Sequence, residues 1–263
     1  MGKLRGKAKV ALATLALAAL AAGAATAATI QKGDLRITLL SQILPYKLPR
    51  DIPAPIAVFV SGHVDSTSGG TPPQLERMAV KVNRHGLLQS KGLPVCNLPE
   101  IQPGSTERAL NNCADALVGS GRFWAQIVLE DQRPYPTRGR LLVFNGRKNG
   151  HPVLFAHIFT TIPFASSFVI TFSIKKIDGG AFGTELKASL PQALGDWGYL
   201  DRIKLTLRRK YDYRGRELSY FNANCPTPKG TPTASFPLAL ADFDFGEDGK
   251  IGVSVVKSCR VKG

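Results

Sequence analysis

The sequence predicts an all-β protein, an antiparallel sandwich or barrel with one short helix. Three observations carry this. Roughly ten short segments alternate apolar and polar residues, Gly-rich clusters punctuate them, and a single stretch has helical periodicity. The first clear strand is 56–64 (IAVFVSGHV), ended by the Ser/Gly/Pro loop 66–73. Residues 77–82 follow, with Met78, Val80 and Val82 on one face. Ser105 is placed to cap a helix over 106–118 with Leu110, Cys113, Ala114 and Leu117 along one side. A strand over 123–129 puts Phe123, Ala125, Ile127 and Leu129 together.

Segments 140–144 and 153–159 flank Asn145-Gly146-Arg147-Lys148-Asn149-Gly150 and read as a hairpin. The second of them is apolar on both faces, so it belongs between two layers. Phe168, Ile170, Phe172 and Ile174 alternate with polar neighbours, and Asp178-Gly179-Gly180 turns that strand into 184–190. A pair at 202–209 and 217–223 comes next, then a last hairpin, 236–245 with 251–259. The phase of its first strand changes between Leu240 and Phe243, which predicts a β-bulge near Ala241 and Asp242.

The chain opens with a pattern that belongs to export rather than to the fold. Lys3, Arg5, Lys7 and Lys9 precede the apolar run 10–22, and small residues 23–28 close it. Thirteen apolar residues are too short to span a bilayer and suit a signal-peptide core. Ala25 and Ala27 supply small residues at −3 and −1, placing the cut after Ala27 or one residue later. The expected organisation is therefore a signal peptide at 1–27, an N-terminal segment at 28–42, and β-rich lobes at 43–144 and 145–262. No transmembrane span is expected in the mature chain.

Losing the leader leaves 30 basic against 19 acidic residues, a net charge of +11. That excess favours anionic surfaces. With export it points to an anionic cell-wall polymer or glycan and away from a dedicated nucleic-acid role. In an oxidising compartment Cys96, Cys113, Cys225 and Cys259, with no C-x-x-C spacing, read as two disulfides. Of three pairings, Cys96–Cys113 with Cys225–Cys259 is favoured. Cys113 faces inward from the helix, and the last hairpin returns Cys259 to the loop that Cys225 opens.

A faint repeat supports that pairing. Residues 74–84 align with 199–209, matching Leu75 to Leu200, Arg77 to Arg202 and Arg84 to Arg209. Cys96 and Cys225 then occupy equivalent places, each needing a local partner. Gly195-Asp196-Trp197-Gly198-Tyr199, Leu205-x-Leu207-Arg208-Arg209 and Cys225-Pro226-x-Pro228-Lys229-Gly230 resemble a group of exported proteins of actinobacterial type that has no established activity. The likeness covers most of the mature chain and implies export, with no catalytic role attached.

Catalytic patterns are absent. There is no G-x-S-x-G, H-E-x-x-H, Walker A or G-x-G-x-x-G, and Gly119-Ser120-Gly121 lacks the spacing of a nucleophile elbow. Ser61, His63 and Asp65 share a strand face, but alternate positions lie roughly 7 Å apart, too far for a hydrogen-bonded triad. Asp244, Gly246 and Asp248 loosely resemble a calcium loop without its ligands at positions 3 and 12. No cofactor or metal is expected. His157, between Phe155 and Phe159, reads as a core histidine.

The most distinctive surface segment holds Arg208, Arg209, Lys210, Tyr211, Tyr213, Arg214 and Arg216. Guanidinium groups beside aromatic rings suit anions and sugar faces. The expectation is a secreted, extracellular or cell-wall-associated, non-catalytic protein that binds an anionic polymer or glycan there. The alternatives are a secreted hydrolase with an unidentified site and a protein-binding extracellular effector.

Overall fold

The computed structural model describes residues 26–128, 133–162, 164–190 and 198–262. The expected leader thus lies almost wholly outside the described residues, as do Gly195, Asp196 and Trp197. Strand β1 (Thr26–Lys32) turns at Gly33, φ +61°, into β2 (Leu35–Leu44). Glycine adopts that left-handed backbone without steric cost. Leu35, Ile37 and Ile43 of β2 are buried, a period-2 pattern inside the segment expected only to precede the first lobe. A cut after Ala27 would leave residues 28–32 paired with 35–39.

Short strands β3 (Lys47–Leu48) and β4 (Ala54–Pro55) lead to β5 (Ala57–Ser66), then β6 (Arg77–Asn83) and β7 (Gly86–Leu88). Two helices follow, α1 (Leu98–Ile101) and α2 (Thr106–Cys113). The Ser105 side chain accepts a hydrogen bond from the Arg108 amide, capping α2 as its sequence predicts. The helix stops at Cys113, five residues earlier than expected. A single 3-10 turn over Ala114–Ala116 hands the chain to β8 (Leu117–Ile127), so the strand begins well before 123.

Strands β9 (Tyr135–Lys148) and β10 (His151–Thr160) form the expected hairpin, with Asn149 and Gly150 at φ +52° and +78°. Two successive positive φ values match the twist of the flanking strands. Next come β11 (Ser166–Lys176), β12 (Phe182–Ser189) and β13 (Gly198–Leu207). The remaining strands are β14 (Lys210–Tyr213), β15 (Arg216–Ser219), β16 (Phe221–Ala223), β17 (Thr233–Asp244) and β18 (Lys250–Val261).

Thirteen strands form one curled sheet in the order β1-β2-β5-β13-β8-β9-β10-β11-β12-β6-β17-β18-β3. All neighbours pair antiparallel except β3, which joins β18 in parallel through Lys47 and Leu48. Because β3 follows β2 in the chain, this pairing ties one end of the sheet to the other. Leu35 and Ile37 of β2 pack in one cluster with Phe243, Ile251 and Val253 of β17 and β18. The expected halves do not form separate sheets: β13 lies between β5 and β8, and β6 between β12 and β17. The repeat-like segments 74–84 and 199–209 contain β6 and β13, set apart in the sheet.

The hairpin expected from 202–209 and 217–223 is redistributed. β13 pairs with β5 and β8, while β14 and β15 make the turn around Arg214 and Gly215 as a separate ribbon. The bulge in β17 falls between Pro237 and Ala239 rather than near Ala241 and Asp242. Proline has no N–H for the ladder, so the irregularity settles there and shifts the inward face from Leu238 to Ala241.

The largest core cluster lies inside the curl, built on Phe123, Leu141, Val143, Leu154, Ile158 and their neighbours. A second lies on the outer face of β9 and β10, where Leu142, Phe144, Val153 and Phe155 meet Ile101 of α1 and Ala109 and Cys113 of α2. β10 is thus buried on both faces, as its sequence predicts. The disulfides are Cys96–Cys113 and Cys225–Cys259, with Cα separations of 5.5 and 5.8 Å. The first clips α2 to the strand layer beneath it.

Candidate functional site

Alternation along β8 and β13 decides what the outer sheet face presents. Phe123 and Ala125 of β8, and Ile203, Leu205 and Leu207 of β13, pack into the interior. Their neighbours Arg122, Trp124, Arg202 and Lys204 must face out. Register then aligns them across strands. Lys204 lies opposite Arg122, which lies opposite Arg140 of β9, and Arg202 lies opposite Trp124, which lies opposite Arg138. Two rows of three result, with paired Cβ atoms roughly 5 Å apart.

Arg122, Arg138, Arg140, Arg202 and Lys204 are exposed, and Trp124 is half-buried among them. The Lys204 ammonium lies 6.0 Å from the Trp124 ring centroid. The strip continues past Thr206 and Ser120 into a polar cleft of about 400 Å³, lined also by Arg208 and Arg209. From Arg202 to Arg208 it runs roughly 20 Å along the strand. Among the described residues, none of Arg122, Arg138, Arg140, Arg202, Lys204 or Arg208 forms an ion pair. Two acids of β5 and β13 among the described residues are engaged elsewhere: Asp201 with His63 at 3.0 Å, and Asp65 with Arg36.

The β14–β15 ribbon contributes less than its composition suggests. The Tyr211 hydroxyl donates to the carbonyls of Gln89 and Lys91, each at 3.0 Å, and its ring packs on the main core. Tyr213 stacks over Gly92, where a side chain would leave no room, and Arg214 covers the Tyr213 ring at 5.3 Å. Both rings anchor the ribbon and are not a free platform for sugars. Lys210 is paired with Glu217 at 2.7 Å, and Arg209 donates to the Asp115 carbonyl at 3.1 Å. Arg208, Arg214 and Arg216 remain exposed and without an ion pair among the described residues.

The weaker sequence motifs disperse. Ser61, His63 and Asp65 stand in a row on β5, but His63 bonds to Asp201 and Asp65 to Arg36. The Arg36 guanidinium holds the Asp65 carboxyl below the usual carboxylate range. Asp244 is bracketed by Arg77 at 3.0 Å and Lys250 at 3.3 Å and accepts from the Gly246 amide, which suits a hairpin turn. Cys96, Glu100 and Cys113 are the one group of metal-ligating atoms close together among the described residues, and a disulfide consumes two of them.

His157 is fully buried under α1 and α2, with Nε2 3.0 Å from the Gly104 carbonyl. Burial pushes its pKa below the ordinary histidine value, against the opposing pull of backbone carbonyls. Gly119 and Gly121 serve the sheet: a Cβ at Gly121 would meet the β13 backbone, including Leu205 Cα at 2.9 Å. No family model, curated protein or solved structure matches this chain.

Proposed function

We propose that this is an exported, non-catalytic protein that binds an acidic glycan or wall polymer along the outer face of β13, β8 and β9. One observation carries the reading. Five cations, Arg122, Arg138, Arg140, Arg202 and Lys204, line up around Trp124, with Arg208 farther along the strip, and none of the six has an acidic partner among the described residues. Unneutralised like charges on adjacent strands repel one another, so the arrangement costs stability unless an anion lies across it. A linear polyanion satisfies several of them at once, and the Trp124 ring offers an apolar surface to a sugar face. The leader-like residues 1–27, the resemblance to exported proteins and the two disulfides support export.

Binding of polygalacturonate, measured by titration calorimetry across a salt series, tests the reading. Neutral dextran of similar length should not bind. Replacing Arg122, Arg138, Arg140 and Lys204 together with Gln should lower the slope of log K against log salt by about 3, by the counterion-release relation for a linear polyanion. Replacing Arg208, Arg209, Arg214 and Arg216 with Gln should lower it less. Parent-like binding by the first quadruple variant would overturn the proposal.

A further inference from the structure

Barrel diameter grows with strand number, and beyond about eight strands the inward side chains no longer fill the interior. The curl here retains a cavity of about 170 Å³, walled mainly by β2, β5, β6, β12, β17 and β18. Its surface is almost wholly apolar, and Val58, Val60, Val82, Phe236 and Leu238 are among its walls. Ala223 and Ala239 also line it, where larger residues would close the space. An empty hollow of this size costs stability, because wall atoms lose contacts on one side. Exposed Pro45 and Leu87 belong to its lining, so it reaches the surface.

Its polar margin makes no demand on a guest. The Asn83 amide donates to the Pro237 carbonyl at 2.7 Å, and the Asn224 amide to the Arg50 carbonyl at 2.6 Å. His85 meets the Asn224 side-chain oxygen at 3.3 Å, and Ser258 bonds to Ser235 at 2.7 Å. Lys257, which also lines the cavity, is engaged within the protein as well. Buried side-chain atoms without a partner among the described residues are His157 Nδ1, Arg209 Nε and Thr227 Oγ1, and none of these residues lines the cavity. Walls of this kind stay dry, and a dry apolar cavity of about 150 Å³ accepts benzene.

We propose that the lumen is a binding site for a compact neutral hydrophobe, a single aromatic ring or an alkyl group of similar bulk, held among Val58, Val60, Val82 and Leu238. Volume sets the size of the guest, aliphatic walls set its character, and partnered polar groups set its charge at zero. A charged or strongly polar molecule would lose its hydration on entry with no unpaired group to replace it. A hydrophobe instead restores the contacts that the wall atoms lack. This reading is independent of the basic strip, which lies on the outer face.

Toluene and benzoate share a ring and differ in charge, which makes them the test pair. By titration calorimetry the parent should bind toluene with a Kd of about 1 mM or tighter, and equimolar benzoate should not displace it. Toluene should also shift the methyl NMR signals of Val58, Val60, Val82 and Leu238. Ala239 lies opposite Val82 and lines the cavity, so Ala239→Phe should fill the space and weaken toluene binding by about tenfold or more. Failure of the parent to bind toluene, displacement of toluene by benzoate, or shifts confined to methyls outside the lumen overturns the proposal, and these outcomes need no variant to fold. Toluene binding that survives unchanged in folded Ala239→Phe overturns it too.

Discussion

Gly121→Ala isolates how closely β8 and β13 approach. Gly121 has ordinary strand dihedrals, so the substitution introduces no backbone strain and acts through space alone. The new methyl would sit inside van der Waals contact of the Lys204 carbonyl oxygen and 2.9 Å from Leu205 Cα. Both are backbone atoms of a central strand and cannot rotate away. Relief requires β13 to move outward, straining the ladder bonds on either side of the Leu205 and Gly121 pair. Overpacking and weakened ladder bonds together cost about 3 kcal/mol. For a chain of this size that lowers the melting temperature by about 9 °C. Calorimetry of Gly121→Ala beside Ser120→Ala, an exposed neighbour on the same strand, measures it. The serine variant should stay within about 0.5 kcal/mol of the parent. Because Lys204 moves with β13, polygalacturonate affinity should fall as well. A Gly121→Ala protein that melts with the parent would refute the close backbone approach and the register that aligns the basic strip.

Replacing Cys96 and Cys113 together with Ser should cost about 3 kcal/mol in the chain-entropy account, read as a lower urea midpoint with faster hydrogen exchange over α1 and α2; an unchanged midpoint would refute it. His157 makes a pH prediction. Its folded pKa lies below the ordinary histidine value of about 6.5, so the unfolded chain binds the extra proton first as pH falls. Stability contributed by the neutral ring is present above 6.5 and declines as pH falls below it towards the folded value. Urea midpoints of the parent should therefore drop between pH 7 and 5 more than those of His157→Leu, and parallel curves would sink the assignment.

Much of the strand content was legible because burial on one face leaves a period of two in the residues. Met78, Val80 and Val82 show it, as do Phe168 to Ile174, and β10 announced its two buried faces through a continuous apolar run. The Cys pairing was readable for a similar local reason, since each bridge joins segments close along the chain. Where expectation failed, a nonlocal contact had decided. β8 starts at Leu117 because β9 pairs it there through Phe144 and β13 joins from Gly119 through Gly121, and neither glycine announces those partners. The ribbon tyrosines looked like a binding platform until the fold brought the 89–92 loop beneath them.

By itself, then, the sequence determined the all-β class, the caps and tight turns, the two bridges and the basic balance, since each depends on residues near one another in the chain. Only tertiary structure decided which strands are neighbours. Arg122, Arg140 and Lys204 are scattered in sequence, and their single row exists because β13 inserts between β5 and β8 in one register. Lys257 likewise reads as an ordinary charge until closure of the sheet turns its face of β18 inward. Pairing register has a period of two, so a slip by one residue would exchange the strip for the lumen. That choice is made by long-range packing of the interior.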